Sequence, residues 1–385
     1  MTGLEQEKPL KGLTVLDFSQ FLSGPSAGLR LADLGARVIK VEKKGTGDIC
    51  RTLYISNTEL EGESTLFHAI NRNKESIELD LKNEEDAEIV KALIKKADIM
   101  IENFRPGVME RLGLDYQSVK AYHEKIIYGE ITGYGNEGPW RDKPGQDLLV
   151  QSLSGLTWLN GNDGDPPLPF GLSIIDMIAG EQLTQGILAA MVRRAVSGKG
   201  AYVQVSLLEA IVDLQFELLT TYLQDDHQLP VRSKVNNAHP YIAAPYGIYE
   251  TQDGYLALAM GSVTQLGELL QCEALKKYEN PVTWSTHRDK IKQILVEHLK
   301  TKRTKEWLHA LERADYWCAE VLNWHQLLEH EGFHALNMIQ KVERQDHFQL
   351  LTTRCPIRID GEIYQSSKPA PFLGENTAQI IAELT

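Results

Sequence analysis

A chain of 385 residues, 42% hydrophobic and 24% charged, has the length of roughly two domains and enough apolar material for a large core. Its formal net charge of −13 argues against general nucleic-acid binding, so an anionic ligand requires a locally basic site. No apolar run approaches the ~18 residues of a membrane span, and the first residues are polar and acidic, unlike a secretory signal. Cys50, Cys272, Cys318 and Cys355 show no CxxC spacing, which argues against disulfides and a zinc site and fits a reducing cytoplasm.

In chain order, residues 13–18 read as a buried strand, and Gly24-Pro25 opens a helix with proline in the first turn. Ala27, Leu31 and Leu34 form its apolar stripe, Gly35 ends it, and Arg37–Glu42 reads as a second strand. This is a βαβ unit suited to a parallel sheet, but its first loop lacks G-x-G-x-x-G, the dinucleotide fingerprint. Alternation continues with strands at 76–81, 98–102 and 126–131 and an amphipathic helix at Glu84–Lys96. A long helical pattern then runs from about Asp176 to Ser197-Gly198-Lys199-Gly200, where it stops. Residues 1–206 thus read as a doubly wound, Rossmann-like α/β domain. A helical stretch from Leu207 to Tyr222 lies within an expected linker, 207–236. Residues 237–326 read as a smaller α+β domain, with a hairpin turning at Asp253-Gly254 and helices near 264–271, 286–299 and 304–313. Residues 327–350 read as a return linker, followed by a strand at 355–359 and a closing helix at 377–384.

Ligands of such sheets sit outside the carboxyl ends of the strands. Basic residues recur there: Lys43, Lys44, Arg51, Arg72, Lys74, Arg105 and Arg111. In an acidic protein this recurrence predicts a pocket for a polyanion such as a phosphorylated cofactor. Asp176 stands among apolar residues at a helix start, where the backbone dipole favours its ionised form. From this stretch alone it reads first as an N-cap, a place Asp often fills, and the functional reading needs the rest of the chain.

The chain also resembles the family III CoA-transferases, the group of formyl-CoA transferase and carnitine CoA-transferase. The resemblance is carried by Leu16-Asp17-Phe18 with Gly24-Pro25, by residues 34–42 with Gly45-Thr46-Gly47-Asp48, and by residues 73–80. It continues through Glu102-Asn103-Phe104-Arg105-Pro106-Gly107, Gly133-Tyr134-Gly135, Gly198-Lys199-Gly200, and residues 369–377. The resemblance implies an enzyme that moves CoA from an acyl-CoA to a carboxylic acid. It further implies an interlinked, ring-shaped homodimer, with the small domain inserted and residues 351–385 completing the large one. The family's catalytic aspartate falls on Asp176 and an assisting carboxylate on Asp147. CoA contacts fall on Phe21, Leu22, Lys43, Asn73, Lys74, Asn103, Phe104 and Arg111; Lys44 and Arg105 join them from the basic-residue pattern. Leu22 departs from the glutamine of formyl-CoA transferase, and Asn236-Asn237-Ala238-His239-Pro240 stands where its glycine-rich loop is expected.

The residue types fit this chemistry. An ordinary aspartate is ionised at pH 7 and can attack an activated thioester without a general base or a metal. Backbone N–H groups near residue 176 are the expected oxyanion donors. The alternatives are a 2-methylacyl-CoA racemase of the same family, a dinucleotide-dependent oxidoreductase, and a binding protein in which Asp176 only caps. The racemase's Gly-His-Asp pattern reads Gly145-Gln146-Asp147 here, and glutamine cannot shuttle a proton. His239 reads as structural rather than as a base, and Glu375 and Asn376 as completing the fold.

Overall fold

A computed structural model describes residues 8–55, 58–60, 62–344, 349–366 and 368–384. The chain divides into two compact units. The first comprises Met1–Val150, Ser173–Asp213 and Leu336–Thr385; the second comprises Gln151–Leu172 and Leu214–Ala335. This differs from the sequence expectation at three places. Residues 151–172 group with the second unit rather than the Rossmann-like one, 207–213 group with the first, and 327–335 group with the second.

The first unit is built on strands β1 (Thr14–Asp17), β2 (Arg37–Lys43), β3 (Glu75–Leu79), β4 (Ile99–Glu102), β5 (Ile127–Thr132) and β6 (Ala201–Ser206). They pair in the order β3-β2-β1-β4-β5-β6, every pair parallel. That is the doubly wound order, with its switch point between β1 and β4. Every residue of β4 and β5 is buried, as expected where both faces of a parallel sheet are covered. Helices α1 (Ser23–Asp33), α2 (Glu84–Lys96), α3 (Asp147–Leu153) and α4 (Ile174–Ser197) follow in order. On one face Leu16, Ile39, Ile77, Met100 and Tyr128 pack with Val90, Leu93 and Ile94 of α2, and Ile380 from the chain's end joins them.

That last contact has a polar frame. Asn376 Oδ1 accepts from Ser76 N (3.0 Å), Asn376 N donates to Ser76 O (3.0 Å), and Glu78 N donates to Thr377 Oγ1 (3.1 Å). Glu375 Oε2 accepts from Phe372 N (2.8 Å). Both residues therefore act locally in holding the C-terminal segment on β3.

A buried ionic lattice lies under the loops after β1 and β2 and the segment before β3. Lys74 Nζ, fully buried, donates to Asp17 Oδ2 (2.8 Å), Asn71 Oδ1 (2.9 Å) and Pro25 O (2.9 Å). Lys40 Nζ meets Asp48 Oδ2 (2.8 Å) and Ser19 O (2.8 Å). Arg51 donates twice to Glu42 (2.8 and 2.6 Å) and once to Glu63 (2.6 Å), with its guanidinium 3.8 Å from the centre of the Phe67 ring. Arg72 forks onto Asp33. Burial alone would raise the Asp17 carboxyl, but Lys74 and Lys40 outweigh it and hold Asp17 below its ordinary range. The structure thus corrects the polyanion expectation for Arg51, Arg72 and Lys74. Their charges are committed to acids inside the fold and do not face a ligand.

In the second unit, strands β7 (Gly247–Glu250), β8 (Tyr255–Leu258) and β9 (Cys318–Glu320) form an antiparallel sheet in the order β9-β8-β7. The β7–β8 connection is the expected hairpin, and Asp253 Oδ1 in its turn accepts from Thr304 N (2.8 Å). Helices α5 (Val263–Leu269), α6 (Arg288–Leu299) and α7 (Thr304–Glu312) supply Leu266, Leu295 and Trp307 to its core. Two expectations are revised. The helix from Leu207 breaks at Gln215 into Leu207–Leu214 and Phe216–Gln224. The expected return linker contains helix, in Trp324–Glu329 and Glu331–Leu336, and a strand pair, Ile339–Glu343 with Gln349–Thr353. All four cysteines are free, and no described helix is long and apolar enough to cross a membrane.

Removing one partner of a buried ion pair strands the other charge in a low dielectric. Lys74→Ala is therefore expected to lower the unfolding free energy by about 3–5 kcal/mol. Lys43→Ala, at an exposed site, should change it by less than about 0.5 kcal/mol. Urea denaturation at constant pH and salt compares the two.

Candidate active site

Asp176 lies in the first turn of α4, but it is not the cap. The N-cap residue is Ser173, whose side chain makes no capping bond. The cap comes from Asp147, the first residue of α3: its Oδ2 accepts from Ile175 N (2.8 Å) and Asp176 N (3.2 Å). A carboxylate at this position satisfies two of the helix's unpaired donors and complements its dipole. The expectation that backbone N–H groups beside residue 176 serve as oxyanion donors is corrected for these two, which are already bonded to Asp147.

Asp147 is set in place by close backbone approach. A methyl on Gly145 would stand 2.6 Å from Gly133 Cα, and one on Gly133 would stand 2.7 Å from Gly145 Cα. Only two bare α-carbons let the loop before Asp147 lie this closely on the end of β5.

Above these residues opens a cleft of about 630 Å³ at the carboxyl ends of β1, β4 and β5. It gathers Phe21, Leu22, Asn103, Phe104, Arg105, Asp147 and Asp176. The remaining expected contacts are not among its lining residues. Lys43, Lys44 and Arg111 are exposed elsewhere in the first unit, and Lys74 is the buried partner of Asp17. Asn73 has a left-handed backbone (φ 66°) and donates its amide to Ala32 O (2.8 Å). The cleft also holds Ser23, Tyr54, Arg141, Lys143 and Gln146, which sequence reading missed as contacts. For Arg141 and Lys143 a signal was present, since their loop follows a strand of the parallel sheet at its carboxyl end. Among the described residues, Arg105, Arg141 and Lys143 are in no ion pair, so they give the cleft its positive charge.

Two loops are locked together at the switch point. Asn103, just after β4, accepts from Gln20 N (2.8 Å) and donates to Gln20 O (2.7 Å), tying the post-β1 loop to the post-β4 loop. Phe21 beside it has φ 63° and is about half exposed toward the cleft. Glu102 Oε2 accepts from Phe104 N (2.8 Å). Burial, and then the neighbouring Glu130, raise the Glu102 carboxyl well above the carboxylate range, so it pairs with Glu130 as an acid beneath the cleft.

The Asp176 carboxyl is pushed up to about 7, first by burial and then by the charge of Asp147, against a hydrogen bond from Ser23 that lowers it. This corrects the expectation of an ordinary, fully ionised aspartate: near neutral pH a large fraction of Asp176 is protonated. His239 stands in the second unit, where its Nδ1 accepts from Tyr241 N (3.2 Å). Among the described residues no cluster of three or more His, Cys, Asp or Glu side chains is arranged to hold a metal.

A carboxyl poised for ionisation, facing a basic cleft at the switch point of a doubly wound sheet, agrees with the family comparison. The family model described as "CoA-transferase family III" matches residues 10–377.

The chain belongs to CoA-transferase family III.

This transferase is 31% identical to the succinate–glutarate CoA-transferase of Agrobacterium fabrum, across 100% of this chain and 98% of that one. It is also 31% identical to the acetyl-CoA:oxalate CoA-transferase of Acetobacter aceti, across 99% and 97%. Its structure is similar to the crystal structure of a CAIB/BAIF family protein from Brucella suis, with a TM-score of 0.86 and 32% identity, covering 99% of this chain and 100% of that chain.

The electrostatics make a signed prediction. Asp147→Asn removes the charge that raises Asp176, so the pH at which Asp176 ionises should fall from about 7 toward the ordinary aspartate value of 3.8. If ionised Asp176 is required, kcat/KM of the wild type rises with pH through about 7, and the rise in Asp147→Asn lies at lower pH. A pH–rate profile for both proteins, with succinyl-CoA and glutarate as probes, reads the shift.

Proposed function

We propose that this transferase moves CoA between dicarboxylic acids by covalent catalysis on Asp176, with Asp147 fixing and tuning the nucleophile. The observation that carries the reading is the carboxyl of Asp176 at the first turn of α4, facing a cleft that also presents Arg105, Arg141 and Lys143. The dicarboxylate class is supported by the relatives' names, which specify succinate and glutarate in one and oxalate, beside acetyl-CoA, in the other.

In the proposed cycle the Asp176 carboxylate attacks the thioester carbonyl of the donor, forming a C–O bond. Collapse breaks the C–S bond, releases CoA thiolate and leaves a mixed aspartyl–acyl anhydride. The thiolate then attacks the Asp176 carbonyl carbon, expelling the donor as its carboxylate and leaving an aspartyl-CoA thioester. The acceptor carboxylate attacks this thioester, regenerating CoA thiolate and a second anhydride. Attack of thiolate on the acceptor's acyl carbon gives the product thioester and restores the Asp176 carboxylate. No net proton moves, so no separate general base is required once Asp176 is ionised. Each intermediate hydrolyses in water, so substrate must fill the cleft during turnover.

Phe21, Leu22, Asn103, Phe104 and Arg105 are proposed as CoA contacts at the switch point. Lys43, Lys44 and Arg111 would act only from the exposed positions described above, Asn73 from its place beside Ala32, and Lys74 as support. The protein is proposed to work as an interlinked homodimer, tested by mixing tagged and untagged subunits under native conditions: no exchange is expected.

Asp176→Ala is expected to abolish CoA exchange while remaining folded, because Asp147, not Asp176, caps α4. Hydroxylamine added with succinyl-CoA should mark Asp176 in the wild type by mass spectrometry. Exchange by the variant at the wild-type rate would refute the nucleophile. The racemase alternative makes the opposite prediction to ours in D2O. Gln146, exposed in the cleft, offers no proton shuttle, so a chiral 2-methylacyl-CoA without acceptor should gain no deuterium at carbon 2.

A further inference from the structure

Of the three cations in the cleft, Arg105 and Lys143 are exposed, and Arg141, on the loop between β5 and α3, is half-buried. Its Nε is closed off from solvent, and no described residue accepts a hydrogen bond from it. A buried donor is seldom left in that state, because it has given up water without gaining a partner. Arg72 Nε is likewise unpartnered, but the Arg72 guanidinium is already forked onto Asp33. Arg141 has no such acid among the described residues, and no cation is among the groups that move the Asp176 carboxyl. The Arg141 charge is therefore not committed inside the site.

The loop holds Arg141 in place before any substrate arrives. Tyr134 and Trp140 meet edge to face, with ring centres 6.1 Å apart. Tyr134 OH donates to Pro144 O (3.3 Å), Lys143 N donates to Trp140 O (2.9 Å), and Arg141 N donates to Gly138 O (3.3 Å). Lys143 Nζ lies 5.5 Å from the centre of the Trp140 ring. The loop ends where Gly145 packs on Gly133 and Asp147 caps α4. Arg141 and the start of α4 thus share one frame, and a donor fixed in advance loses little freedom on binding.

An arginine Nε–H and the Nη–H beside it form a fork that matches the two oxygens of a carboxylate. In a half-buried place the fork favours a singly charged carboxylate over the multiply charged phosphates of CoA, whose desolvation costs more. The exposed Arg105 and Lys143 suit those phosphates. We propose that Arg141 is the residue that selects a dicarboxylic acyl group: its Nε–H and adjacent Nη–H donate to the carboxylate at the far end of the chain, while the reacting end lies at Asp176. The inference deepens the reading above and rests on Asp176 as the nucleophile. Arg141 forms no covalent bond and moves no proton. The same contact serves donor thioester and acceptor acid, since both present a carboxylate at the end that does not react. A monocarboxylic acid leaves the buried Nε–H without a partner, which is how a site built for a hydrogen bond rejects an analogue lacking it.

The test sets each diacid against the monoacid of the same length as CoA acceptor: succinate against butyrate, and glutarate against valerate. Succinyl-CoA is the donor, and the acids are isotope-labelled so that every exchange is read by mass spectrometry. In a double displacement the acceptor's kcat/KM reports only the steps after the aspartyl-CoA thioester, so a defect toward the donor does not enter it. Wild type is expected to prefer each diacid by about 100-fold. Arg141→Met should lower kcat/KM for the diacids by about 10–100-fold, the size of a charge-assisted hydrogen bond, and leave the monoacids as they were. Arg141→Lys keeps the charge without the fork and should fall between them; Arg141→Gln replaces Arg141→Met if the latter does not fold. Free CoA, titrated calorimetrically, should bind variant and wild type equally. Equal losses for diacid and monoacid, weakened CoA binding with the diacid preference kept, or a wild type that prefers neither diacid would each overturn the proposal. Hydroxylamine labelling with succinyl-CoA is read in parallel. Its absence from Asp176 in the wild type would sink the nucleophile reading, while the ratio of diacid to monoacid rates still decides for Arg141.

Discussion

The candidate site depends on the carboxylate of Asp147. Asp147 binds the N–H groups of Ile175 and Asp176 and so fixes the start of a 24-residue helix against the loop after β5. Three consequences follow from that contact. The helix is capped from outside, which leaves the Asp176 side chain free to face the cleft. The first-turn N–H groups are occupied, so charge developing on substrate must find other donors. The negative charge of Asp147 adds to burial and brings Asp176 to the edge of ionisation near neutral pH. A neutral cap built from Ser173 would satisfy the helix with less effect on the Asp176 carboxyl.

The charged residues of this acidic chain have two different fates. Lys40, Arg51, Arg72 and Lys74 neutralise Asp48, Glu42, Asp33 and Asp17 beneath the loops. Such pairs seldom add much net stability over apolar packing, since desolvation opposes their attraction, but losing one member is costly. Here they define where the loops after β1 and β2 and the segment before β3 sit, because each ammonium or guanidinium also bonds a backbone carbonyl or a second acid. Lys74 reaches Pro25 O inside α1, and Lys40 reaches Ser19 O in the loop before it. Arg105, Arg141 and Lys143 have no internal acid and face the cleft instead. Burial separates the structural cations from those available to an anionic substrate.

Much of the fold was legible because its signals are local and repetitive. Short apolar runs separated by helical patterns gave the parallel strands from Thr14 to Thr132, and Asp253-Gly254 gave the hairpin. The breaks in the pattern are also local in cause but were harder to read. Gln215 interrupts the helical stretch, and the helices at 324–336 are only six residues each, too short for a helical period to stand out. The placement of residues 151–172 and 207–213 was not legible, because which compact unit a segment joins depends on contacts distant in sequence.

The sequence by itself determined the α/β alternation, the helix beginning near Asp176, the acidic balance, and, through its ordered motifs, the family. Each rests on spacing along the chain, which folding does not alter. Tertiary structure alone decided that Asp147 rather than Asp176 relates to the helix as its cap, and that Lys74 is internal while Arg141 faces the cleft. Those outcomes depend on which polar atoms come within hydrogen-bonding distance after strands far apart in sequence pair, and on how much water remains around each charge. A carboxyl's affinity for its proton is set by that surrounding, so the same residue type yields an Asp17 held below its ordinary range and an Asp176 raised to about 7.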